Sequence, residues 1–203
     1  MNKRIKVVFS FCLLIAAFGS GCASYKGGAV QIRDAAQFAN AQKAGGVEMG
    51  AEAVVTEAKS KEIFYVNLGE QGYFPVEVSV NNQTNARLLI ERDRVDLVSN
   101  SGATTRSVPV TAMIDEFEKN KMAYALLGFG IFSYMSAEDA NKKMAADWSA
   151  KELARETIVA PSRRSSGFIY FKLPKGEKPT GMELVVPVEN LETKSTETVR
   201  LRL

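Results

Sequence analysis

The residues that could do chemistry in this sequence are few, because it contains no histidine and only two cysteines, Cys12 and Cys22. Without histidine the chain lacks the usual general base near neutral pH, and it cannot build a Ser-His-Asp or Cys-His nucleophile system. Two cysteines supply too few ligands for a cysteine-based zinc or iron–sulfur site. We therefore expect neither a metal nor another cofactor.

Carboxylates are the remaining candidates for a chemical site. Glu91, Asp93 and Asp96 lie close together, with Arg92 and Arg94 between them. Such acids could bind calcium or a glycan, but the mixed charges favour a solvated strand face. Asp115, Glu116 and Glu118 are typical of an exposed helix face, and Arg163–Arg164 of an ordinary loop. A histidine-free hydrolase with two carboxylates stays open as a hypothesis, although no pair can be assigned from the sequence.

Familiar catalytic motifs are missing from the sequence. It contains no Ser-x-x-Lys, no Gly-x-Ser-x-Gly and no Gly-x-x-x-x-Gly-Lys-Ser/Thr. The three cations of the first 21 residues account for the net charge of +3, so the remainder of the chain is neutral. A neutral body gives no electrostatic reason to bind nucleic acid. We expect a protein that is not an enzyme and has no nucleic-acid partner.

The first 22 residues have the three parts of a secretory signal. MNKRIK is basic, Val7–Phe18 is an apolar run of twelve residues, and Gly-Ser-Gly-Cys follows. As a helix the apolar run would rise only ~18 Å, too little for a hydrocarbon core of ~30 Å. The pattern predicts a cleaved signal peptide at residues 1–21.

The end of this segment, LLIAAFGSGCAS, resembles the lipobox of bacterial lipoproteins, with Gly19 where those proteins usually carry a large aliphatic residue. The resemblance implies that Cys22 becomes the new N-terminus and is acylated. Several acyl chains, at ~0.8 kcal/mol per buried CH₂, would hold the protein stably in a lipid bilayer. Ala23 and Ser24 are not the acidic residue that resembles an inner-membrane retention signal, which implies an outer-membrane, periplasm-facing location in the cell envelope.

The body is expected to begin after a tether. Residues 22–50 are rich in Gly, Ala, Gln and Asn and predict a lipidated N-terminus and a flexible spacer with some helical content. Residues 51–203 predict a β domain, because short alternating stretches are separated by turn signals. The predicted strands are residues 74–81, 86–90, 94–99, 104–110, 167–173, 182–189 and 199–203. Pro187 suggests an edge strand or a bulge.

Two of these stretches, FPVEVSVNNQTN and SSGFIYFKLP, look like the immunoglobulin-like sandwiches of bacterial envelope lipoproteins. The resemblance implies a mainly β fold, an immunoglobulin-like antiparallel β-sandwich. Residues 111–159 show no alternation and predict an inserted helical hairpin. Its second helix would begin at Ser136, as an N-cap, and run to about Thr157, with Trp148 as a packing residue. The alternative is an α+β domain with the helices packed on one sheet face.

The uncharged run Met122–Met135, MAYALLGFGIFSYM, lies within this insertion. Its ~21 Å of helix is typical of a core or interfacial segment rather than of a membrane span. Burial against the sandwich and exposure as an apolar patch are both open. In the second case Leu126, Phe129, Ile131 and Phe132 would contact a partner or the bilayer.

The sequence as a whole predicts a membrane-anchored lipoprotein that acts as a non-enzymatic interaction or structural module of the bacterial cell envelope. Its partners would be the lipid bilayer, through acylated Cys22, and an envelope protein. The alternative is a lipoprotein that binds a glycan or a small hydrophobic ligand in a cleft between the sandwich and the helices.

Overall fold

The computed structural model describes residue 30, residues 33–119 and residues 134–203. Within these ranges the chain forms ten β-strands and three α-helices. The strands are β1 (Gln42–Ala44), β2 (Val47–Ala53), β3 (Tyr73–Asn82), β4 (Leu88–Glu91), β5 (Asp96–Val98), β6 (Thr104–Val108), β7 (Glu156–Val159), β8 (Arg164–Lys172), β9 (Glu183–Asn190) and β10 (Thr196–Arg202). The helices are α1 (Glu57–Phe64), α2 (Val110–Lys119) and α3 (Tyr134–Lys151).

The strands form two antiparallel sheets that share β6. The first sheet has the order β1-β2-β3-β8-β6. In the second sheet, β9 pairs with β10 on one side and with β5 and β4 on the other, and β4 also pairs with β7. Strand β6 pairs with β8 through Ser107 and Val108 and with β5 through Thr104–Arg106. The predicted mainly β, antiparallel, sandwich-like fold is confirmed.

The core lies between the two sheets and follows from the alternation of apolar residues. Phe74, Val76, Val78 and Val80 of β3 all point into it, as the sequence pattern predicted. From the second sheet Leu184, Val186 and Val188 of β9, with Val199 and Leu201 of β10, face them. Full burial of side chains of this size contributes roughly 1.5–3 kcal/mol each.

A helical layer of α1, α2 and α3 covers the outer face of the first sheet. Its cluster joins Phe64, Phe117 and Trp148 from the helices to Phe168 and Tyr170, the residues of β8 that face away from the sandwich core. Phe64 and Phe117 both meet Trp148 edge to face, with ring centroids 6.4 and 5.7 Å apart. The alternative arrangement, helices packed on one sheet face, describes this layer, and the predicted packing role of Trp148 is confirmed.

The predicted helical insertion at about 111–159 needs correction at its end. Helix α3 ends at Lys151 rather than near Thr157, and Ser136 lies inside it rather than at its N-cap. Thr157 belongs to β7, where Thr157 and Val159 are buried and pair with β4. Four residues are too few to establish an alternation with a period of two, so the start of this strand was assigned to the preceding helix.

The predicted tether at 22–50 is also too long, because the folded domain includes residues 33–50. Asp34 caps a 3₁₀ turn at Ala35–Gln37, and β1 and β2 form a hairpin at the edge of the first sheet. Gly45 and Gly46, at φ 53° and 81°, make its turn. The glycines that suggested flexibility serve a tight turn instead.

Strand β9 is not an edge strand, which was one of the two structures that Pro187 suggested. Pro187 pairs with Thr198 of β10, and it lies between residues 183–185, which pair with β5, and residues 189–190, which pair with β4. Pro187, which has no backbone N–H to donate, therefore lies between the part of β9 that pairs with β5 and the part that pairs with β4. None of the helices in the described ranges combines the length and apolar content that a membrane crossing would need.

Candidate functional site

The residues assigned to anchoring and contact fall outside the described part of the chain. These are Cys22 for lipidation and Leu126, Phe129, Ile131 and Phe132 for contact with a partner or the bilayer. Both assignments stay predictions. The described residues instead show how the other candidate groups are arranged.

The acids around Arg92 do not form a solvated strand face. Arg92–Arg94 is a 3₁₀ turn, and Arg92 is buried. Its Nη1 lies 2.7 Å from Glu152 Oε2, and its Nη2 lies 3.0 Å from Asp93. Arg155 binds the other oxygen of Asp93 at 2.8 Å. Each of these acids is thus neutralised by an arginine, and no group of three or more His, Cys, Asp or Glu in the described ranges could hold a metal ion.

Among the described carboxyl groups, that of Glu152 has a pKa above its usual value. Burial raises its pKa, while the backbone N–H of Val110 and the charge of Arg92 act in the opposite direction. Oε1 accepts the Val110 N–H at 2.7 Å and Oε2 meets Arg92, so both oxygens are occupied. Glu152 ties the start of α2 and the end of α3 to the Arg92 turn, and it is not positioned to give a proton to a ligand.

A second charged network lies on the outer face of the first sheet, at the point where the chain enters the domain. Arg33 binds both Glu52 of β2 and Glu77 of β3, the latter at 2.7 Å. Lys59 of α1 binds Glu52 at 2.8 Å, and the Arg33 guanidinium lies 4.1 Å from the Phe38 ring centroid. Burial raises the pKa of Glu52, but Lys59 and Arg33 lower it more, so Glu52 stays ionised.

A groove of about 410 Å³ opens beside this network, between the edge of β2 and the end of β10. Arg33, Phe38 and Glu52 line one side, and Arg202 and Leu203 line the other. The Asn40 side chain bridges the two sheets here: its Oδ1 accepts the N–H of Ala51 and its Nδ2 donates to the carbonyl of Arg202. Charged groups at a mouth of this size could hold a small polar ligand.

A more open polar pocket, about 540 Å³, lies at the opposite end of β3. Asn81 donates to Asp34 at 2.9 Å and to Glu48 at 3.0 Å, and these bonds lower the pKa of both carboxyls. Arg163 and Arg164 form its rim, so they contribute to a pocket rather than to an isolated loop. Arg164 lies 3.5 Å from Asp34.

Glu116 is likewise engaged rather than free on an exposed helix face. Its carboxylate accepts the Tyr73 hydroxyl at 2.7 Å and forms an ion pair with Lys172 of β8. Lys172 and Tyr73 both lower the pKa of Glu116, whereas burial and the same carboxylate raise the pKa of Tyr73. Asp115 remains exposed as expected.

The carboxylates of Glu77, Glu116 and Glu152 are all held by partners within the domain. A glycosidase-type site needs one carboxyl with a raised pKa and a second, ionised one, both open to substrate. Among the described residues Glu152 has the raised pKa, but its two carboxylate oxygens are bound by Arg92 and by the N–H of Val110. No sequence pattern pointed to Arg33, Glu52 or Glu77, because an acid that alternates with valines predicts a solvent-facing side chain. Glu77 is buried only by the elements that cover it.

Comparisons with known proteins identify no family for this chain. Neither a protein-family model nor a curated protein matches this chain. Among solved structures, the crystal structure of the yjhA protein from Bacillus subtilis is similar over 81% of this chain and 97% of its own length. The two share 10% sequence identity, with a TM-score of 0.42.

Proposed function

We propose that this chain is a bacterial envelope lipoprotein, anchored through acylated Cys22, whose β-sandwich serves as a non-enzymatic interaction or structural module. The leader and the lipobox-like end support a location in the outer membrane, facing the periplasm. The proposed partners are the bilayer that holds the acyl chains and a protein of the envelope.

One observation carries this proposal: a lipobox-like cysteine is followed after only eight residues by a residue packed onto a folded domain. Val30 is half-buried against the cluster of the helical layer, and Arg33 is held by Glu77. Eight extended residues span at most about 26–29 Å. A module tied this closely would stay beside the membrane surface, where envelope partners are found.

The apolar run supports a contact role in this proposal. Leu126, Phe129, Ile131 and Phe132 belong to the sequence between the last residue of α2, Lys119, and the first of α3, Tyr134. Both helices lie in the layer against which Val30 packs. We propose these four residues as contacts for a partner or the bilayer.

The anchor is tested by substituting Cys22 with Ala and comparing it with Cys12→Ala. In the proposed pathway Cys12 leaves with the signal peptide, so only Cys22→Ala should abolish the acyl mass and release the protein from membranes. The measurements are mass spectrometry of the mature chain and membrane fractionation. An unacylated wild-type N-terminus would refute the anchor.

The interaction role is tested by photo-crosslinking in intact envelopes. Ile158 of β7 is 57% exposed on the outer face of the second sheet, and Thr198 of β10 is exposed on the same face, which makes them a matched apolar and polar pair. A photoreactive residue at each position should trap one protein reproducibly at an interface. Recovery of no stoichiometric partner from either position or from the helical layer would count against an interaction module.

The alternative is a lipoprotein that binds a glycan or small ligand, and the 410 Å³ groove favours it. Thr180→Trp should fill the groove from its exposed rim, while Thr193→Trp, on the exposed β9–β10 turn, is the control. A ligand found by thermal-shift screening should lose affinity only with Thr180→Trp. Equal affinity in both variants would place the ligand elsewhere.

A further inference from the structure

The position of Val30 tells which side of the domain an anchored chain presents to the bilayer. Val30 packs against the cluster formed by Phe64, Phe117 and Trp148 on the outer face of the first sheet. The chain then runs to Arg33, which is bound to Glu52 and Glu77 on that same face. The N-terminal segment of the chain therefore joins the domain on the side of the helical layer.

The short link makes the opposite side hard to reach. The sheets of a sandwich are about 10 Å apart, and a helical layer adds roughly another 10 Å. To put the outer face of the second sheet on the bilayer, the residues between Cys22 and Val30 would have to pass around an edge of both sheets. That path would use most of their ~26–29 Å reach.

The exposed residues of the helical side suit a bilayer surface. On the outward side of α3 are Lys142 and Lys143, followed by the small residues Ala146, Ser149 and Ala150. The acid of this stretch, Asp147, binds Lys151, which is buried and donates to the carbonyl of Ile63 at 2.8 Å. Between residues 142 and 151 the outward side of α3 therefore carries two lysines, and Asp147 in the same stretch is paired with Lys151.

Tyr65 adds an aromatic residue beside this surface. It is 42% exposed and follows directly on α1, whose final carbonyls receive Lys151 and the indole N–H of Trp148 from α3. Tyrosine and lysine are the residue types found where protein meets the headgroup region. Glu62 and Asp115 are also exposed, so the face is mixed in charge and would orient an anchored domain rather than bind lipid alone.

We infer that the helical layer is the membrane-facing side of the domain, with Lys142, Lys143 and Tyr65 at the lipid headgroups and the outer face of the second sheet turned away. This inference rests on the proposed acylation of Cys22. It deepens that proposal by assigning the lipid headgroups, and not a second protein, to the helical side.

The test uses the acylated full-length protein in vesicles of phosphatidylethanolamine and phosphatidylglycerol that carry a headgroup-linked quencher. A fluorophore is placed on Ala146→Cys of α3 or on Thr198→Cys of the second sheet; both positions are exposed, and acylation leaves no other thiol. Lys143→Cys and Ile158→Cys repeat the comparison.

Quenching is expected to be several-fold stronger at positions 146 and 143 than at 198 and 158. Equal quenching, or stronger quenching on the second sheet, would overturn the orientation. If the acylated protein does not float with the vesicles at all, the anchor itself fails, which separates that result from a wrong orientation. Circular dichroism of each labelled variant checks that the fold is intact.

Discussion

Arg92 Nη1 lies 2.7 Å from Glu152 Oε2, and their side chains retain only 7% and 13% of their exposure. This pair joins the turn before β5 to the segment that leaves α3. Glu152 also accepts the first N–H of α2, and the Ser107 hydroxyl donates to the Arg92 carbonyl at 2.7 Å. One ion pair thus connects the helical layer, β6 and the second sheet.

Removing Arg92 should destabilise the protein strongly, because it leaves Glu152 buried without its cation. We expect Arg92→Ala to lower the free energy of unfolding by about 3–5 kcal/mol at pH 7, measured by urea denaturation. Arg94→Ala is the matched control, since its pair with Glu91 is exposed and should be worth at most about 1 kcal/mol. Similar losses in both variants would contradict a special role for the buried pair.

The cost of Arg92→Ala should also depend on pH. Burial raises the pKa of Glu152 above its usual 4.5, so its favourable contribution is present below that value and is lost as pH rises through the folded-state pKa. Without Arg92 this pKa should rise further. The difference in free energy of unfolding between wild type and Arg92→Ala should therefore shrink from pH 7 toward about pH 4. A difference that stays constant with pH would contradict this expectation.

Glu116 should show the opposite pH dependence. Lys172 and Tyr73 lower its pKa below 4.5, so the stability it contributes is present above that value and is lost as pH falls through the folded-state pKa. Glu116→Gln should flatten the acid side of the stability profile relative to wild type. Asp115→Asn, at an exposed neighbouring position, should leave that profile unchanged. Unfolding curves measured at a series of acidic pH values will decide this.

Gly50 fixes the 3₁₀ turn at Ala35–Gln37 onto the first sheet. A Cβ at Gly50 would lie 2.6 Å from the carbonyl oxygen of Ala35 and 2.7 Å from Cβ of Phe38, so an alanine at this position would force the segment off the sheet. We expect Gly50→Ala to cost about 1–3 kcal/mol and to speed proteolysis near Arg33.

Gly69→Ala is the control for this substitution, because its Cβ would meet only side-chain atoms at 3.4 Å or more. Limited proteolysis with mass spectrometry of the N-terminal fragments, alongside urea denaturation, measures both effects. If Gly50→Ala were cleaved no faster than Gly69→Ala, residues 33–38 would not depend on this close approach.

The sequence predicted the fold where apolar residues repeat with a clear period. Val76, Val78 and Val80 alternate with polar residues and lie in the core as expected. Helix α1 was not predicted, because Ser60, Ile63 and Phe64 are its buried residues and leave little apolar stripe. Its formation depends on Thr56 at the N-cap and on Trp148 and Lys151 at its end, which are contacts that no local pattern contains.

The charged networks could not be predicted for a related reason. Glu77 lies between two valines and has the pattern of a residue facing solvent, yet it is 4% exposed. Its partner Arg33 is 44 residues away in sequence, in a segment whose composition predicted a tether. Burial and pairing of this kind arise from packing between distant elements, whereas a periodic strand carries its own signal.

Tyr65 occupies a left-handed backbone conformation, at φ 66°, directly after α1. Glycine is the usual residue at this position of a helix end, because a Cβ there is unfavourable by about 1 kcal/mol. A residue without a Cβ at this position should therefore be more stable than one that keeps it. We expect Tyr65→Gly to be more stable than Tyr65→Ala by about 1 kcal/mol in urea denaturation, since the two variants differ at this one atom.

Both should reduce headgroup contact of the acylated protein, whereas Tyr65→Trp should retain it, as measured by quenching at position 146. A glycine variant no more stable than the alanine variant would show that Tyr65 is not strained, and unchanged quenching in both would remove Tyr65 from the membrane-facing surface.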